Sequence, residues 1–553
     1  IEISKSEPKL MGSVQKNNVS DWVNLSGNIW VTGIAASVPV GGQLLTNPSF
    51  DINTTGWSLY TNTANGASTT GSGRTTTPGE FDSDPAGYKV VCVNGGASGS
   101  DIQFYNSSPF SITNGKWYKL TFRAKSTVGF TQNSGITLMQ MSNPWATYYS
   151  SSSGRTPTYT ASWATYNVYF KSNITATDGR LTWYLGNNIP NGATLYIDTL
   201  SFQQIEDPDF FPSDVGNIIF DNEAGVGMKK KTEAALLSQG DFWFNFTNNS
   251  LYLYSVSNPA SYYSNIECAL NWNGIKSSHN DYIIYENLDF RYWGRCIHES
   301  GADYNIFRSI DGSYIGGADQ YGNYTVRYGN GIQFWNGSHD NLVEKSHFSN
   351  IYDAAITTQG NGTYQKYNII FRNNIIEKSE YSIEFWERNT DSVVNNIRFE
   401  NNTLIDAGGG WGHNQRWDGP NAAHLMLYTN TAQTSNVYFR NNIFYGSQQR
   451  GVKISNLGDV SDYIIDNNLW FNIPVIGRIG STEYNTLPDW QMASNQDAHS
   501  LSADPKFSPN YQLQSDSPCI DAGATTAAVS NDYIGVPRPQ GAGYDIGAYE
   551  FAY

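Results

Sequence analysis

The sequence predicts an all-β protein: a right-handed parallel β-helix with an inserted β-sandwich of the jelly-roll type. The first observation is a corner motif in which an Asn pair separates two short β stretches, at Arg372–Ile375, Glu400–Thr403, Arg440–Ile443 and Asp466–Leu469. The second is its spacing, with the first Asn at positions 373, 401, 441 and 467, at intervals of 28, 40 and 26 residues. Units of this length cannot bury their own apolar face, which indicates a stacked solenoid.

The third observation is the residue type beside each corner. Stretches such as Tyr282–Tyr285 and Asn368–Phe371 are β-branched or aromatic, and no Leu/Ala-rich stretch with helical period occurs. Asn tolerates a left-handed backbone and can form a hydrogen-bonded ladder with its copies in neighbouring repeats. These features favour a parallel β-helix over a helical solenoid.

The composition along the chain divides it into five segments. We expect an N-terminal part of the β-helix domain at 1–41, an inserted β-sandwich at 42–205, an antiparallel β segment that joins the helix at 206–265, parallel β-helix repeats at 266–470, and C-terminal repeats with a cap at 471–553.

Composition limits the partners. The formal net charge is −16 and the pI is near 4.8, which argues against nucleic-acid binding because that needs a basic surface. The four Cys show no CxxC spacing, so neither a zinc site nor a disulfide framework is implied. No stretch has the apolar length of a membrane helix. We expect a monomer that is secreted or located at the cell surface.

The insert has five landmarks, at Leu45–Asp51, Gly56-Trp57, Gly115–Lys125, Trp163 and Leu195–Leu200. Together they resemble the carbohydrate-binding modules of the galactose-binding-like β-sandwich type. The resemblance implies a structural calcium ion held by Asp51 and Asp198, since a hard cation prefers carboxylate oxygens. The alternative is that both carboxylates cap turns.

A sugar-binding sandwich needs exposed aromatic rings that pack on the apolar face of a pyranose. Trp145, Tyr148 and Tyr149 lie in a polar, Ser-rich stretch and are the predicted platform. The Trp residues at 117, 163 and 183 alternate within predicted strands and are expected in the core.

The repeats can be aligned on one inward aliphatic residue each, namely Ile297, Ile332, Ile356, Ile383, Leu425 and Val452. The residue after each then points outward, which gives the column His298, Gln333, Thr357, Glu384, Met426 and Lys453. Most of these side chains are polar or ionisable, which predicts a functional face.

Four carboxylates are expected on that face: Asp353, Glu380, Glu384 and Glu387. Their mutual repulsion would keep one of them protonated beside an ionised one, as glycoside hydrolysis requires. In regular strands Asp353 and Glu380 would be about 5 Å apart, which suits a retaining mechanism, and Asp353 and Glu384 on the order of 14 Å. A bend between Asp353 and Ile356 would shorten the second distance. The alternative is that these acids are solvated charges or turn caps.

One repeat is longer than its neighbours, with 42 residues from Ile383 to Leu425 against 27 on either side. The excess contains 408–418, which is rich in Gly, Trp, His and Arg and is expected to form a wall of a sugar subsite. The predicted substrate-binding residues are His298, Gln333, Trp335, Gln359, Trp386, Glu387, Trp411, His413, Arg416 and Trp417.

The chain outside the insert also has a family resemblance. Asn217–Phe220, Gln239–Trp243 and Leu251–Tyr254, followed by the repeats, are similar to β-helix glycoside hydrolases of the pectin-lyase-like fold that act on xylo-oligosaccharides and fucosides. The resemblance implies that Asp353 and Glu384 are the nucleophile and acid/base, with Glu380 as a further catalytic candidate. The C-terminal segments Ser517–Gly523 and Asp545–Phe551 resemble the ends of secreted bacterial β-helix proteins.

The sequence therefore predicts a polysaccharide-degrading glycoside hydrolase that needs no cofactor for catalysis. A calcium-dependent polysaccharide lyase is the first alternative, with Lys453, Arg416, His413 or His424 as the base and the carboxylates as calcium ligands. A non-catalytic carbohydrate-binding surface protein is the second, because a fold does not settle a function.

Overall fold

The computed structural model describes residues 8–33, 39–82, 85–205, 211–526 and 529–552. Parts of the predicted segments at 1–41, 206–265 and 471–553 lie outside these residues. The described chain is all-β, with short α-helices at Pro259–Tyr262 and Leu487–Ser494. Within these ranges no helix is long and apolar enough to cross a membrane.

The chain forms two compact units. The first comprises Ile1–Trp22, Ser213–Trp243 and Leu253–Tyr553, and the second comprises Val23–Pro212 and Phe244–Tyr252. The residues expected to form the insert, 42–205, all belong to the second unit.

The second unit is a β-sandwich. Its antiparallel six-stranded sheet has the order Tyr149–Ser153, Ala164–Ser172, Trp117–Ser126, Thr194–Ile205, Gly87–Val91 and Gly73–Thr75. The other sheet has the order Ile136–Gln140, Ala176–Tyr184, Ile102–Asn106 and Trp57–Thr61, with Phe110–Ile112 beside Ala176–Tyr184. Phe130–Thr131 pairs antiparallel with Thr158–Tyr159, and Val23–Ser26 forms a hairpin with Ile29–Thr32. Phe122 of one sheet meets Trp183 of the other with ring centroids 5.5 Å apart, so both inner faces share one core.

The first unit contains two large, mainly parallel sheets. The strands of one are Lys9–Met11, Ile284–Arg291, Ile306–Ile315, Leu342–Glu344, His347–Ile351, Gln365–Arg372, Ile375–Glu377, Val393–Glu400, Thr403–Ala407, Gln433–Arg440, Ile443–Ser447, Tyr463–Asp466 and Leu469–Phe471. The strands of the other are Ser13–Gln15, Val215–Phe220, Gly225–Val226, Ile266–Ser278, Trp293–Ser300, Ile332–Trp335, Ala354–Gly360, Tyr381–Glu387, Ala423–Leu427, Arg450–Ile454, Val475–Ile479 and Thr482–Tyr484.

The remaining elements of the two units are short. Further strands are Met228–Lys229, Asp241–Asn245, Ser250–Tyr254, Ala318–Asp319 and Arg327–Tyr328. Short 3-10 helices are Val19–Asp21, Thr63–Asn65, Gly99–Asp101, Glu233–Ala235, His413–Gln415, Leu457–Asp462 and Pro509–Tyr511. The segment expected to be antiparallel contains one parallel pair, Met228–Lys229 with Asp241–Asn245.

The Asn pairs form the corners of the repeats, as predicted. The first Asn of each pair is left-handed, with φ between 51° and 55°. The second is fully buried, and its side-chain amide donates to the carbonyl of its copy in the next repeat. These bonds are 3.0 Å from Asn374 to Asn402, 3.0 Å from Asn402 to Asn442 and 3.2 Å from Asn442 to Asn468. The ladder satisfies polar groups that would otherwise be buried without partners.

The predicted alignment of the repeats is also observed. Ile297 pairs with Ile332, Ile332 with Ile356, and Ile356 with Ile383, each one parallel strand along the stack. Leu425 and Val452 continue the series. All these aliphatic side chains are buried on one face of the sheet. Because side chains alternate along a strand, the side chain after each of them lies on the opposite face.

Candidate active site

A cleft of about 650 Å³ lies over the outward face of the second sheet. Seven predicted site residues border it: His298, Gln333, Trp335, Asp353, Gln359, Glu384 and Trp386. Eight further residues border it that the sequence did not single out: Lys276, Arg295, Gln320, Tyr321, Tyr328, Asn330, Asn361 and Tyr428. Towards the C-terminal end of the predicted outward column, Met426 is fully buried. The column therefore does not continue as a polar surface to Lys453.

Glu384 occupies the middle of strand Tyr381–Glu387 and is 7% exposed. Its Oε2 accepts hydrogen bonds from Gln359 Nε2 at 2.5 Å and from Thr357 Oγ1 at 3.3 Å. Burial raises the pKa of Glu384 to about 8, and the negative charge of Asp353 adds to this increase. The carboxyl group is therefore protonated near neutral pH.

A chain of side-chain hydrogen bonds leads along the column to Glu384. His298 Nδ1 lies 3.0 Å from Gln333 Oε1, and Gln333 Nε2 donates to Gln359 Oε1 at 2.9 Å. With Gln333 accepting through Oε1, His298 must carry its proton on Nδ1. Burial lowers the pKa of His298, which leaves a neutral imidazole with Nε2 available as an acceptor.

Asp353 lies in a bend immediately before strand Ala354–Gly360. A bend near Asp353 was predicted to shorten its distance to Glu384. In the structure both residues border the same cleft. Asp353 Oδ1 accepts a hydrogen bond from Arg416 Nη1 at 3.0 Å. Burial raises the pKa of Asp353, and the Arg416 guanidinium opposes this rise. Of the two carboxyl groups, Asp353 is thus the one stabilised as an anion.

Glu380 is turned away from this pair. Its side chain is fully buried, where Oε2 bonds His413 Nδ1 at 2.9 Å and Oε1 accepts from the Asn421 backbone N–H at 2.6 Å. The prediction that it faces the cleft is wrong, because the long loop folds over it. Glu380 and His413 anchor that loop, and neither borders the cleft.

Glu387 is also absent from the cleft border. It forms an ion pair of 2.6 Å with Lys366, and both side chains are fully buried. Residues 384 and 387 differ by an odd number, so strand alternation sends them to opposite faces. The prediction that both face outward was therefore wrong, and alternation was the signal that could have corrected it.

The two Trp residues of the long loop pack against protein. Trp411 Nε1 donates to the Asn350 carbonyl at 2.9 Å, and its ring centroid is 5.4 Å from that of Tyr352. Trp417 lies beneath Lys231, whose Nζ is 5.1 Å from its ring. Neither borders the cleft, contrary to expectation, so within this loop only Arg416 reaches the carboxylate pair.

Trp335 and Trp386 form an aromatic platform at the cleft. They occupy outward positions in the strands on either side of Ala354–Gly360, where both are in register with Gln359, and their rings stack with centroids 6.0 Å apart and an interplanar angle of 20°. Both are partly exposed. A stacked indole pair beside a carboxylate pair can hold the apolar face of a pyranose.

The candidate bases for a lyase are engaged elsewhere. His424 is fully buried, hydrogen-bonded to Ser382 Oγ at 2.9 Å and to the Gly446 carbonyl at 2.6 Å, and burial lowers its pKa to about 3. Lys453 donates to Asn421 Oδ1 at 3.1 Å. Among the described residues, no group of three or more His, Cys, Asp or Glu side chains is placed to hold a metal ion.

The β-sandwich has its own cleft, of about 470 Å³. Trp145 borders it and is 48% exposed, in the position expected of a sugar platform. Arg180 lies between two rings there, 3.8 Å from Tyr105 and 5.1 Å from Trp145. The sequence did not single out Tyr105 or Arg180, because both lie within strands at positions typical of core or solvated residues.

The other two predicted platform residues do not line this cleft. Tyr148 is 5% exposed, and its hydroxyl donates to Asp178 Oδ1 at 2.9 Å. Tyr149 packs on Phe170 with centroids 5.3 Å apart, and Arg155 covers it at 4.9 Å. Only Trp145 of the three is left open to a ligand.

The proposed calcium ligands have different surroundings. Asp51 Oδ2 accepts from Ser49 Oγ at 2.7 Å, while its Oδ1 is buried with no hydrogen-bond partner among the described residues. Both oxygens of Asp198 accept backbone N–H groups, from Thr199 at 2.7 Å and from Asp82 at 2.8 Å. The unpartnered oxygen of Asp51 fits a cation, whereas both oxygens of Asp198, which lies within strand Thr194–Ile205, are already engaged by backbone N–H groups.

Comparison with known proteins gives structural neighbours only. No family model and no curated protein matches the chain. A structure described as "CBM4 structure and function" is 19% identical, with a TM-score of 0.23, and the match covers 29% of this chain and 99% of that one.

Two other neighbours are modules of the same kind. The N-terminal cellulose-binding domain of Cellulomonas fimi β-1,4-glucanase C has the same identity and TM-score, and the match covers 30% of this chain and 99% of that one. The CBM22-1 xylan-binding domain of Paenibacillus barcinonensis Xyn10C is 11% identical with a TM-score of 0.21, covering 31% of this chain and 99% of that one.

Proposed function

We propose that this protein is a polysaccharide-degrading glycoside hydrolase in which Asp353 and Glu384 are the reacting carboxylates. The observation that carries the proposal is their pairing at one cleft with opposite electrostatic surroundings. Among the described residues Glu384 is buried without an ion-pair partner and retains its proton, whereas Asp353 forms an ion pair with Arg416. One protonated and one ionised carboxyl group are what cleavage of a glycosidic bond needs.

Each residue then has a defined role. Glu384 donates its proton to the leaving oxygen, and Gln359 keeps the carboxyl group oriented through its 2.5 Å hydrogen bond. Asp353 attacks the anomeric carbon or activates water. Trp335 and Trp386 stack on a sugar ring beside the bond that is cut.

The fold, the role of the β-sandwich and the cellular location are further parts of the proposal. We infer that the parallel sheets form a right-handed β-helix and that the sandwich binds carbohydrate through Trp145, so that the enzyme stays on its polymer. Secretion from a bacterium and a monomeric state belong to the same proposal. A calcium ion near Asp51 would have a structural role only.

A screen of plant and algal polysaccharides tests the proposal, with new reducing ends and ultraviolet absorbance followed together. The wild type should release reducing ends without absorbance. Asp353→Asn and Glu384→Gln should each lower kcat by at least about 100-fold, the size of a general-acid contribution. Glu233→Gln, an exposed position in the same unit, is the matched control. Absorbance that disappears with a chelator would instead identify a lyase.

A further inference from the structure

The cleft has a cationic end that the proposed chemistry does not use. Lys276 and Arg295 supply its charge from two neighbouring repeats, and the neutral His298 borders it in register with Lys276. The carboxylates that border the cleft are Asp353 and Glu384. Arg416 binds Asp353, and Glu384 keeps its proton, so neither offsets the charge at the cationic end.

Arg295 is held in position without a counterion. Its guanidinium carbon lies 4.2 Å from the ring centre of Tyr328, and the Tyr328 hydroxyl is fixed by a 2.8 Å hydrogen bond to Asn271 Oδ1. Within the described part of the chain, Arg295 Nε is buried and has no hydrogen-bond partner. A partly buried guanidinium without an acceptor is costly, and an anion in the cleft would remove that cost.

The position of Arg295 suits a ligand that also reaches the carboxylate pair. The backbone N–H of Cys296, next to Arg295, donates to the Asn330 carbonyl at 3.1 Å, and the Asn330 side chain accepts from the Ala354 backbone N–H at 3.2 Å. Arg295 is thus two strands from Asp353, roughly 10 Å along the stack. That span fits the sugar unit next to the one whose bond is cut.

We propose that the cleft end formed by Lys276, Arg295 and His298 binds an anionic substituent of the sugar, either a carboxylate or a sulfate ester. Arg295 contacts the anion through its planar fork and Lys276 adds charge. Neutral His298 accepts a hydroxyl through Nε2. The proposal rests on the function above and narrows it to acidic glycans, although the chain itself is strongly acidic.

Titration calorimetry on the full chain carrying Glu384→Gln tests this without turnover. The probes are trigalacturonate and its carboxyl-reduced product, and a sulfated galactan oligosaccharide and its desulfated product. One anionic probe should bind at least about 10-fold more tightly than its neutral counterpart, since a charged hydrogen bond is involved. The pair that shows the preference identifies the anion.

Adding Arg295→Gln should abolish this preference, and Arg295→Lys should retain part of it. Arg440→Gln is the matched control, because Arg440 also stacks on a tyrosine, at 4.6 Å from Tyr438, but lies on the other sheet. Equal binding of charged and neutral probes, or a preference that survives Arg295→Gln, would overturn the subsite. If the protein prefers an anionic probe but the wild type cuts no glycan, the proposed hydrolase function is refuted and the anion subsite is retained.

Discussion

Replacing Glu384 with Gln should stabilise the first unit increasingly as the pH rises. In the folded protein the pKa of Glu384 is about 8, against an ordinary value of 4.5. Between these values the folded state keeps a proton that the unfolded state has lost. The contribution of Glu384 to the free energy of unfolding is therefore fully present below pH 4.5. It is lost as the pH rises towards 8.

The size of the effect follows from the pKa difference. At 1.36 kcal/mol per pKa unit, the penalty reaches about 5 kcal/mol at pH 8. This value is an upper limit, because part of the rise in the pKa of Glu384 comes from the neighbouring negative charge of Asp353 and not from burial alone. Gln has the shape of the protonated acid and can still accept from Gln359, so it does not have this penalty.

Calorimetric Tm values at pH 4.5, 6.5 and 8 measure the effect. The Tm of Glu384→Gln minus that of the wild type should be close to zero at pH 4.5 and reach several degrees at pH 8. Glu233→Gln, at an exposed site, should show no trend with pH. A constant Tm difference for Glu384→Gln across this range would refute the conclusion that Glu384 is buried in its protonated form.

Two other perturbations test separate parts of the molecule. Lys366→Met leaves Glu387 charged and unpaired in the core, so the first unit should lose about 3–5 kcal/mol of stability, seen as a lower Tm. Adding Glu387→Gln should restore most of it, and a failure to recover would contradict the ion-pair explanation. Trp145→Ala should weaken binding of the chain to its insoluble polymer by at least about 10-fold, measured by pull-down, because one stacking ring is lost. Tyr148→Phe should bind normally, and hydrolysis of soluble oligosaccharides should be unchanged in both.

Local chemistry made the repeats and their Asn corners predictable from the sequence. The Asn corners were predictable because left-handed backbone and side-chain ladders both favour Asn, and residues 374, 402, 442 and 468 form that ladder. The stack register was predictable because one buried aliphatic per repeat fixes which neighbours point outward. That register brought Gln333, Gln359 and Glu384 to one cleft.

Only the tertiary structure decided which of the acids face the ligand. Glu380 does not face the cleft, because His413, a loop residue 33 positions along the chain, binds its carboxylate. Arg416 binds Asp353, although the two are 63 positions apart in the sequence, because the same loop folds back towards the cleft. Arg295 and Tyr328 became neighbours only through stacking of repeats. Such contacts depend on how a long loop docks and on which side chains meet across strands, and no periodic pattern in the sequence encodes either. The sequence by itself determined the repeating frame, and long-range packing selected the groups that it presents.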